Sequence, residues 1–171
     1  MGEAVKGLER VIRLLPHFKN LSVLVVSRSN MDFYRSLAKT LDIEKQVIFV
    51  GFLGNPEVAY KAADMFVYPS PYDPFGMVVT EAMSSELAVV VSRHIGAAEL
   101  IQHGTSGLLC DHDSQDSILE SVSTLLKNDG TRLTLGKAAR RSIAEVSWDH
   151  CAEKTFEVYR SVYERKRPLN R

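Results

Sequence analysis

The sequence predicts an α/β domain built on a doubly wound parallel sheet, followed by a helical C-terminal third. Three observations carry that expectation. Five short runs rich in Val, Ile and Leu are apolar throughout instead of alternating, the pattern of strands covered on both faces. Segments of helical period separate these runs, as parallel connections require. After Ser114 strand-like runs cease and only helical periods remain.

The elements follow in order. Val5, Leu8, Val11, Ile12 and Leu15 recur at helical spacing until Pro16, and Leu21–Val26 is a short apolar, β-branched run. Phe33, Leu37, Ala38 and Leu41 mark a second helix, and Val47–Val50 a second strand closed by Gly51. A short helix through Val58, Ala59, Ala62 and Ala63 follows Pro56 and leads to a strand at Met65–Tyr68, which Pro69 and Pro71 stop. A helix over roughly Gly76–Glu86 precedes the strand Leu87–Val91, and Gly107–Cys110 is the last strand. Beyond Ser114, Ile118, Leu119, Val122, Leu125 and Leu126 form one helix ended by Asn128-Asp-Gly130. A second runs through Leu133, Leu135, Ala138, Ala139 and Ile143, and Ser147 caps a third carrying Trp148, Ala152, Phe156, Tyr159 and Val162. A doubly wound sheet ordinarily opens with a strand, whereas this chain opens with a helix, so the first strand is expected upstream. In the order 3-2-1-4-5-6 that would leave two inner edges facing a gap, which the strands from Leu21 and Met65 close directly or which self-association fills.

Length and composition bound the function. The 171 residues, 45% of them hydrophobic and 25% charged, suit one domain spanning 1–171. Lys and Arg (21) balance Asp and Glu (21), so no overall field gathers nucleic acid, and any anion site has to be local. Cys110 and Cys151 fall in no disulfide or metal-ligand pattern, the start MGEAVKGLER has no apolar signal core, and the longest nearly apolar stretch, Val47–Gly54, is far short of the ~20 residues a spanning helix needs. A cytoplasmic protein is expected. The tail from Arg160 to Arg171 holds five basic residues and one acid, which suits a helix C-terminus and secondarily a weak contact with the inner face of a membrane.

Ligands of open parallel sheets bind beyond the carboxyl ends of the strands, where helix N-termini present free N–H groups. Tyr68-Pro-Ser-Pro-Tyr-Asp-Pro-Phe-Gly-Met-Val-Val-Thr-Glu81 follows a strand and opens a helix. Pro69, Pro71 and Pro74 restrict this loop, and Gly76 allows close approach to its backbone. Phe75, Gly76, Met77 and Val78 would offer N–H groups to a phosphate or a sugar hydroxyl. Asp73 just ahead of the helix and Glu81 a turn and a half inside it place two carboxylates over one pocket. The plainer alternative is that Asp73 caps the helix and Glu81 is solvated.

Several motifs in this order resemble those of the C-terminal, donor-binding domain of retaining GT-B glycosyltransferases that use nucleotide sugars. They are Lys6-Gly7-Leu8; Leu41–Phe52 with its Gly51 turn; Ala63-Asp64 followed by Tyr68-Pro69-Ser70; Asp73-Pro-Phe-Gly-Met-Val-Val-Thr-Glu81; and Gly96-Ala-Ala-Glu99 with Gly104-Thr-Ser-Gly107. The resemblance implies a Rossmann-like half of a two-domain enzyme, whose N-terminal acceptor domain is a separate partner. It implies Asp73 and Glu81 as the acidic pair of the active centre, Asp73 toward the donor sugar and Glu81 toward the ribose hydroxyls. It further implies Lys6 at the diphosphate, Pro74 to Val78 around sugar and phosphate, and Gly51 and Phe52 along the base. A nucleotide-diphosphate sugar is then the substrate, the acceptor is a glycan or lipid, and neither cofactor nor metal is required. The chain departs from the pattern at Asp73, where the family has Glu, at Ser27 and Glu86 in place of Gly, at Ala88 in place of Pro, and at Ile95 in place of the first of two glycines. Those departures keep open a non-catalytic binding or regulatory domain on the same scaffold. His94, His103 and His112 lie nine apart on loops and share no helical face, so no metal site is expected from them.

Overall fold

The computed structural model describes residues 6–166. Five parallel strands alternate with helices as expected, but they form two sheets instead of one. The first half runs α1 (Leu8–Ile12), β1 (Val23–Val26), α2 (Asp32–Thr40), β2 (Val47–Gly51) and α3 (Glu57–Ala62). Then come β3 (Met65–Tyr68), α4 (Met77–Ser84), β4 (Ala88–Ser92), a 3₁₀ turn over Gly96–Leu100, and β5 (Leu108–Cys110). The helical third is α5 (Gln115–Lys127), α6 (Asp129–Ser142) and α7 (Trp148–Lys166).

Local chemistry explains where element ends differ from expectation. Val5 lies outside the described residues, and α1 stops at Ile12, with Pro16 placed inside a separate 3₁₀ turn over Leu15–His17. The first strand starts at Val23 and not Leu21, because the Gln46 side-chain amide donates to the carbonyls of Phe18 (2.7 Å) and Leu21 (2.8 Å) and withdraws that segment from the ladder. Helix α4 ends at Ser84, two residues early: Glu86 turns left-handed (φ 61°) while the Leu87 N–H reaches back to the Ala82 carbonyl, closing a Schellman-type end. Asn128 ends α5 and also begins α6, its side chain accepting from the Thr131 N–H at 3.0 Å, so Gly130 sits inside α6 instead of stopping a helix. Ser147 caps α7 as the sequence suggests, and Ser114, not expected as a cap, does the same for α5, each accepting at 3.1 Å from the N–H of the third helical residue.

In the three-stranded sheet, β4 lies between β3 and β5. All five of its residues are buried. Val89 and Val91 face Val79, Met83 and Ala139 of α4 and α6, while Ala88 and Val90 face Ile118, Val122 and Leu125 of α5. This strand meets the expectation of cover on both faces.

The pair β1–β2 does not. Val25 and Val47 pack with Tyr34 and Ala38 of α2, but on the opposite face Leu24 (37%), Ile48 (50%) and Val50 (40%) are exposed. The apolar run therefore overstated the cover of this half. β1 and β3 do not pair, so direct closure of the gap is not realised. The segment around α1 joins the halves instead: Ile12 and Leu15 pack with β1 and β2, and Leu14 packs with β4 and α5.

Candidate functional site

The predicted residues gather mainly at the carboxyl end of β3 and the start of α4. Gly7, the residue before α1, adopts φ 85°, and a Cβ there would lie inside contact distance of the Pro69 carbonyl oxygen and 2.6 Å from its carbon. Only glycine lets α1 seat on the loop after β3. That seating brings Lys6 across the loop, where its Nζ lies 2.7 Å from Asp73 Oδ2.

Asp73 is held from three sides. Besides Lys6, the Tyr68 hydroxyl donates to Oδ2 at 2.8 Å, and the Phe75 N–H donates to Oδ1 at 3.3 Å. The side chain is only 14% exposed, and this burial acts to raise its pKa. The Lys6 ammonium, the Tyr68 hydroxyl and the Phe75 N–H outweigh burial and hold the carboxyl below its ordinary 3.8, so it is ionised at neutral pH. Asp73 does not cap α4. Gly76 occupies that position, left-handed at φ 88°, without a side-chain cap.

The absence of a cap leaves the helix start open. Among the described residues, the N–H groups of Gly76, Met77 and Val78 have no acceptor, whereas the expected Phe75 N–H is already engaged by Asp73. The backbone ahead of these groups is fixed by the 3₁₀ turn after β4. Gly96 donates to the Asp73 carbonyl (3.3 Å), Ala97 donates to the Phe75 carbonyl (2.6 Å), and a Cβ on Gly96 would strike the Pro74 carbonyl and lie 2.9 Å from Phe75 Cα. Phe75 and Met77 keep exposed side chains, while Val78 is half-buried.

Glu81, half-buried on α4, accepts from the Tyr60 hydroxyl at 2.8 Å. Tyr60 and Tyr68 flank Phe66, with ring centroids 5.9 Å and 5.8 Å away. The two acids thus hang from two tyrosines joined by one aromatic ring. Burial first, and then the adjacent carboxylate, push both phenol pKa values well above the ordinary 10, so both hydroxyls stay protonated donors. From the sequence Tyr60 is not singled out, and Tyr68 enters only as part of a motif, without this role. The available signal was the period of two that puts Phe66 and Tyr68 on one face of β3.

Gly51 and Phe52 lie elsewhere, at the carboxyl end of β2. They border an open cleft of about 460 Å³ with Ser27, Arg28, Arg35 and Phe49. The Arg28 guanidinium sits 3.6 Å from the centre of the Phe52 ring. The Ser27 N–H donates to the Gly51 carbonyl at 3.0 Å, across the ends of β1 and β2.

The Lys6 ammonium, the uncapped helix N–H groups and the two hydrogen-bonded carboxylates thus lie at the carboxyl edge of parallel strands in a Rossmann-like domain, where ligands of such sheets bind. Residues 2–142 match the family model described as glycosyl transferases group 1, and the chain belongs to that family. An uncharacterized glycosyltransferase from Methanocaldococcus jannaschii is 34% identical over 166 residues, covering 93% of this chain and 43% of that protein. The alpha-maltose-1-phosphate synthase of Mycolicibacterium smegmatis is 41% identical over 108 residues, 59% of this chain and 28% of the relative. The chain therefore spans less than half the length of these curated relatives. Among solved structures, sucrose-phosphate synthase from Thermosynechococcus elongatus superposes with a TM-score of 0.83 at 25% identity, over 94% of this chain and 43% of that one. The fold is that of the C-terminal half of a GT-B glycosyltransferase.

No helix among the described residues is long and apolar enough to cross a membrane. Residues 167–171 of the basic tail lie outside the described range.

Proposed function

We propose that this domain binds the nucleotide-diphosphate sugar donor of a glycosyl transfer that proceeds with retention onto a glycan or lipid acceptor. The observation that carries the reading is the convergence of Lys6, Asp73 and the unpartnered N–H groups of Gly76 to Val78. The diphosphate would sit against the α4 N-terminus, where the helix dipole and the Lys6 ammonium offset its charge without a divalent cation. To do so Lys6 turns from Asp73 toward phosphate. Asp73 then exchanges one charged donor for sugar hydroxyls while keeping the Tyr68 and Phe75 bonds. Glu81, held at one oxygen by Tyr60, would accept the ribose hydroxyls, and the cleft beside Gly51 and Phe52 would take the base. Departure of the diphosphate would build negative charge beside the helix N–H groups, which are fixed in advance, and beside Lys6 once it has turned, and such charge stabilisation lowers the barrier electrostatically. Acceptor binding belongs to the part of the enzyme these residues do not include. The names of the mycobacterial and cyanobacterial relatives, both synthases of sugar phosphates, support a carbohydrate product.

Calorimetry with a panel of nucleoside diphosphates and their sugars tests the assignment. Glu81→Gln is expected to weaken both ligand classes by roughly 1–3 kcal/mol, the cost of a lost charged partner at a desolvated site. Asp73→Asn should spare the diphosphate and weaken the sugar nucleotide. Equal losses on both ligands in Asp73→Asn would reduce Asp73 to a scaffold for the loop, and unchanged affinities in Glu81→Gln would remove the ribose assignment.

A further inference from the structure

The carboxyl edge of the three-stranded sheet carries a second cluster, on the side formed by β4 and β5. These strands pair in register at Ser92 and Cys110, so the residues that follow each strand emerge side by side. His94 comes from one loop, and Asp111 and His112 from the other. Their ligand-type atoms all lie within 4.8 Å of one another, and the two imidazoles meet edge to face with centroids 4.8 Å apart. His103, the third histidine of the nine-residue spacing, is not part of it: its Nδ1 accepts from the Leu109 N–H at 2.9 Å. Cys110 is not part of it either, since its thiol is buried in the core beside Val90 and Ile118 and burial pushes it up to about 11.

His112 is the informative member. Its side chain is 13% exposed, and its Nε2 lies 3.1 Å from Asp113 Oδ1, a carboxylate that also meets Arg10 at 3.4 Å. With its ring proton on Nε2, beside that carboxylate, the imidazole would keep a lone pair on Nδ1 for a ligand. That Nδ1 is buried and has no hydrogen-bond partner among the described residues. A carboxylate oxygen, Asp111 Oδ1, lies 4.0 Å from it. Two acceptors facing each other at this distance are too far apart to share a proton, but they leave room for a cation. Zinc bonds of ~2.0–2.2 Å to nitrogen and oxygen set tetrahedral ligands about 3.3–3.6 Å apart. The exposed side chains of His94 and Asp111 can rotate to close the difference.

We propose that His94, Asp111 and His112 form a zinc-type metal site that ties the loop after β4 to the loop after β5; it shares no side chain with the Lys6–Asp73–Glu81 cluster, although Ile95, next to His94, bridges to the Asp73 backbone. Two neutral imidazoles and one carboxylate suit a borderline divalent ion and leave a fourth position for water. Asp113, whose Oδ1 lies 3.1 Å from the far nitrogen of His112, stands where a carboxylate could orient that ligating histidine. Nothing in the donor-binding role of Lys6, Asp73 and Glu81 requires this ion, and its test is independent of that role.

The test uses the whole chain, stripped with chelator and titrated with zinc by calorimetry and with cobalt by visible absorption. One equivalent of zinc per chain is expected, with the intense visible bands of tetrahedral cobalt. His94→Ala, Asp111→Asn and His112→Gln should each lower zinc affinity by at least about tenfold, and Asp113→Asn by roughly tenfold through loss of orientation. His103→Ala should bind as the unaltered protein does. Circular dichroism confirms that each variant is folded, and His94 and Asp111, being exposed, keep the test decisive if His112→Gln does not fold. Absence of stoichiometric binding, or a site that survives both His94→Ala and Asp111→Asn, overturns the proposal.

Discussion

Replacing Gly7 by alanine probes the contact on which the site is assembled. The residue lies at φ 85°, and moving an L side chain into that region costs roughly 1–2 kcal/mol. The added Cβ would also overlap the Pro69 carbonyl, whose carbon is 2.6 Å from it, and these are backbone atoms that cannot rotate away. Overpacking of this kind costs roughly 1–3 kcal/mol, so Gly7→Ala should destabilise the domain by about 2–5 kcal/mol. Gly51→Ala supplies the control. Its φ of 81° is nearly the same, but nothing lies within 4 Å of the added carbon, and only the backbone cost of about 1–2 kcal/mol is expected. Urea unfolding of the two variants reads the difference directly, provided both keep the parental m-value. Equal losses in the two would refute the argument that α1 is seated against the Pro69 carbonyl.

Two further outcomes follow from the geometry. Glu86 is left-handed at the end of α4, and its side chain makes only a 3.7 Å exposed pairing with Arg140, so Glu86→Gly should stabilise the domain by about 1 kcal/mol, seen as a higher melting temperature. Asp73 has a folded pKa held below 3.8, so the stability it contributes is fully present above that value and disappears as pH falls through the lowered folded pKa; Asp73→Asn should flatten this acid limb in urea midpoints measured against pH, and an unchanged limb would contradict the depressed carboxyl.

The sequence foretold the strands more faithfully than their environment. Met65–Tyr68 falls where it was expected because prolines stop it on one side and the short helix after Pro56 feeds it on the other. Leu24, Ile48 and Val50 misled, since an apolar residue records what a strand can bury and not what covers it. Asp73 and Glu81 were legible because the helix between them fixes their spacing. Their hydroxyl donors were not, because Tyr60 reaches Glu81 from α3 and Tyr68 reaches Asp73 from β3, contacts that no local period encodes. The Phe75 N–H was assigned to a ligand because the sequence does not reveal that Asp73 folds back on its own loop. The meeting of His94 with His112 escaped for a similar reason: the register of β4 against β5, and not chain spacing, brings them together.

The seating of α1 also bears on how the two sheets behave as one body. β1 and β3 exchange no backbone hydrogen bonds, and the segment from Gly7 to Leu15 touches both halves, through Pro69 at one end and through Ile12, Leu14 and Leu15 at the other. It works as a rivet between two sheets that share no ladder hydrogen bonds, with Leu21 also packed against both. An anion gripped jointly by Lys6 and the first turn of α4 would pull on that rivet, so binding energy gained at the site is transmitted to strands that never touch the ligand. Amide exchange in β1 and β2 would then slow on ligation along with that in α4, and the β1–β2 half would report occupancy from a distance.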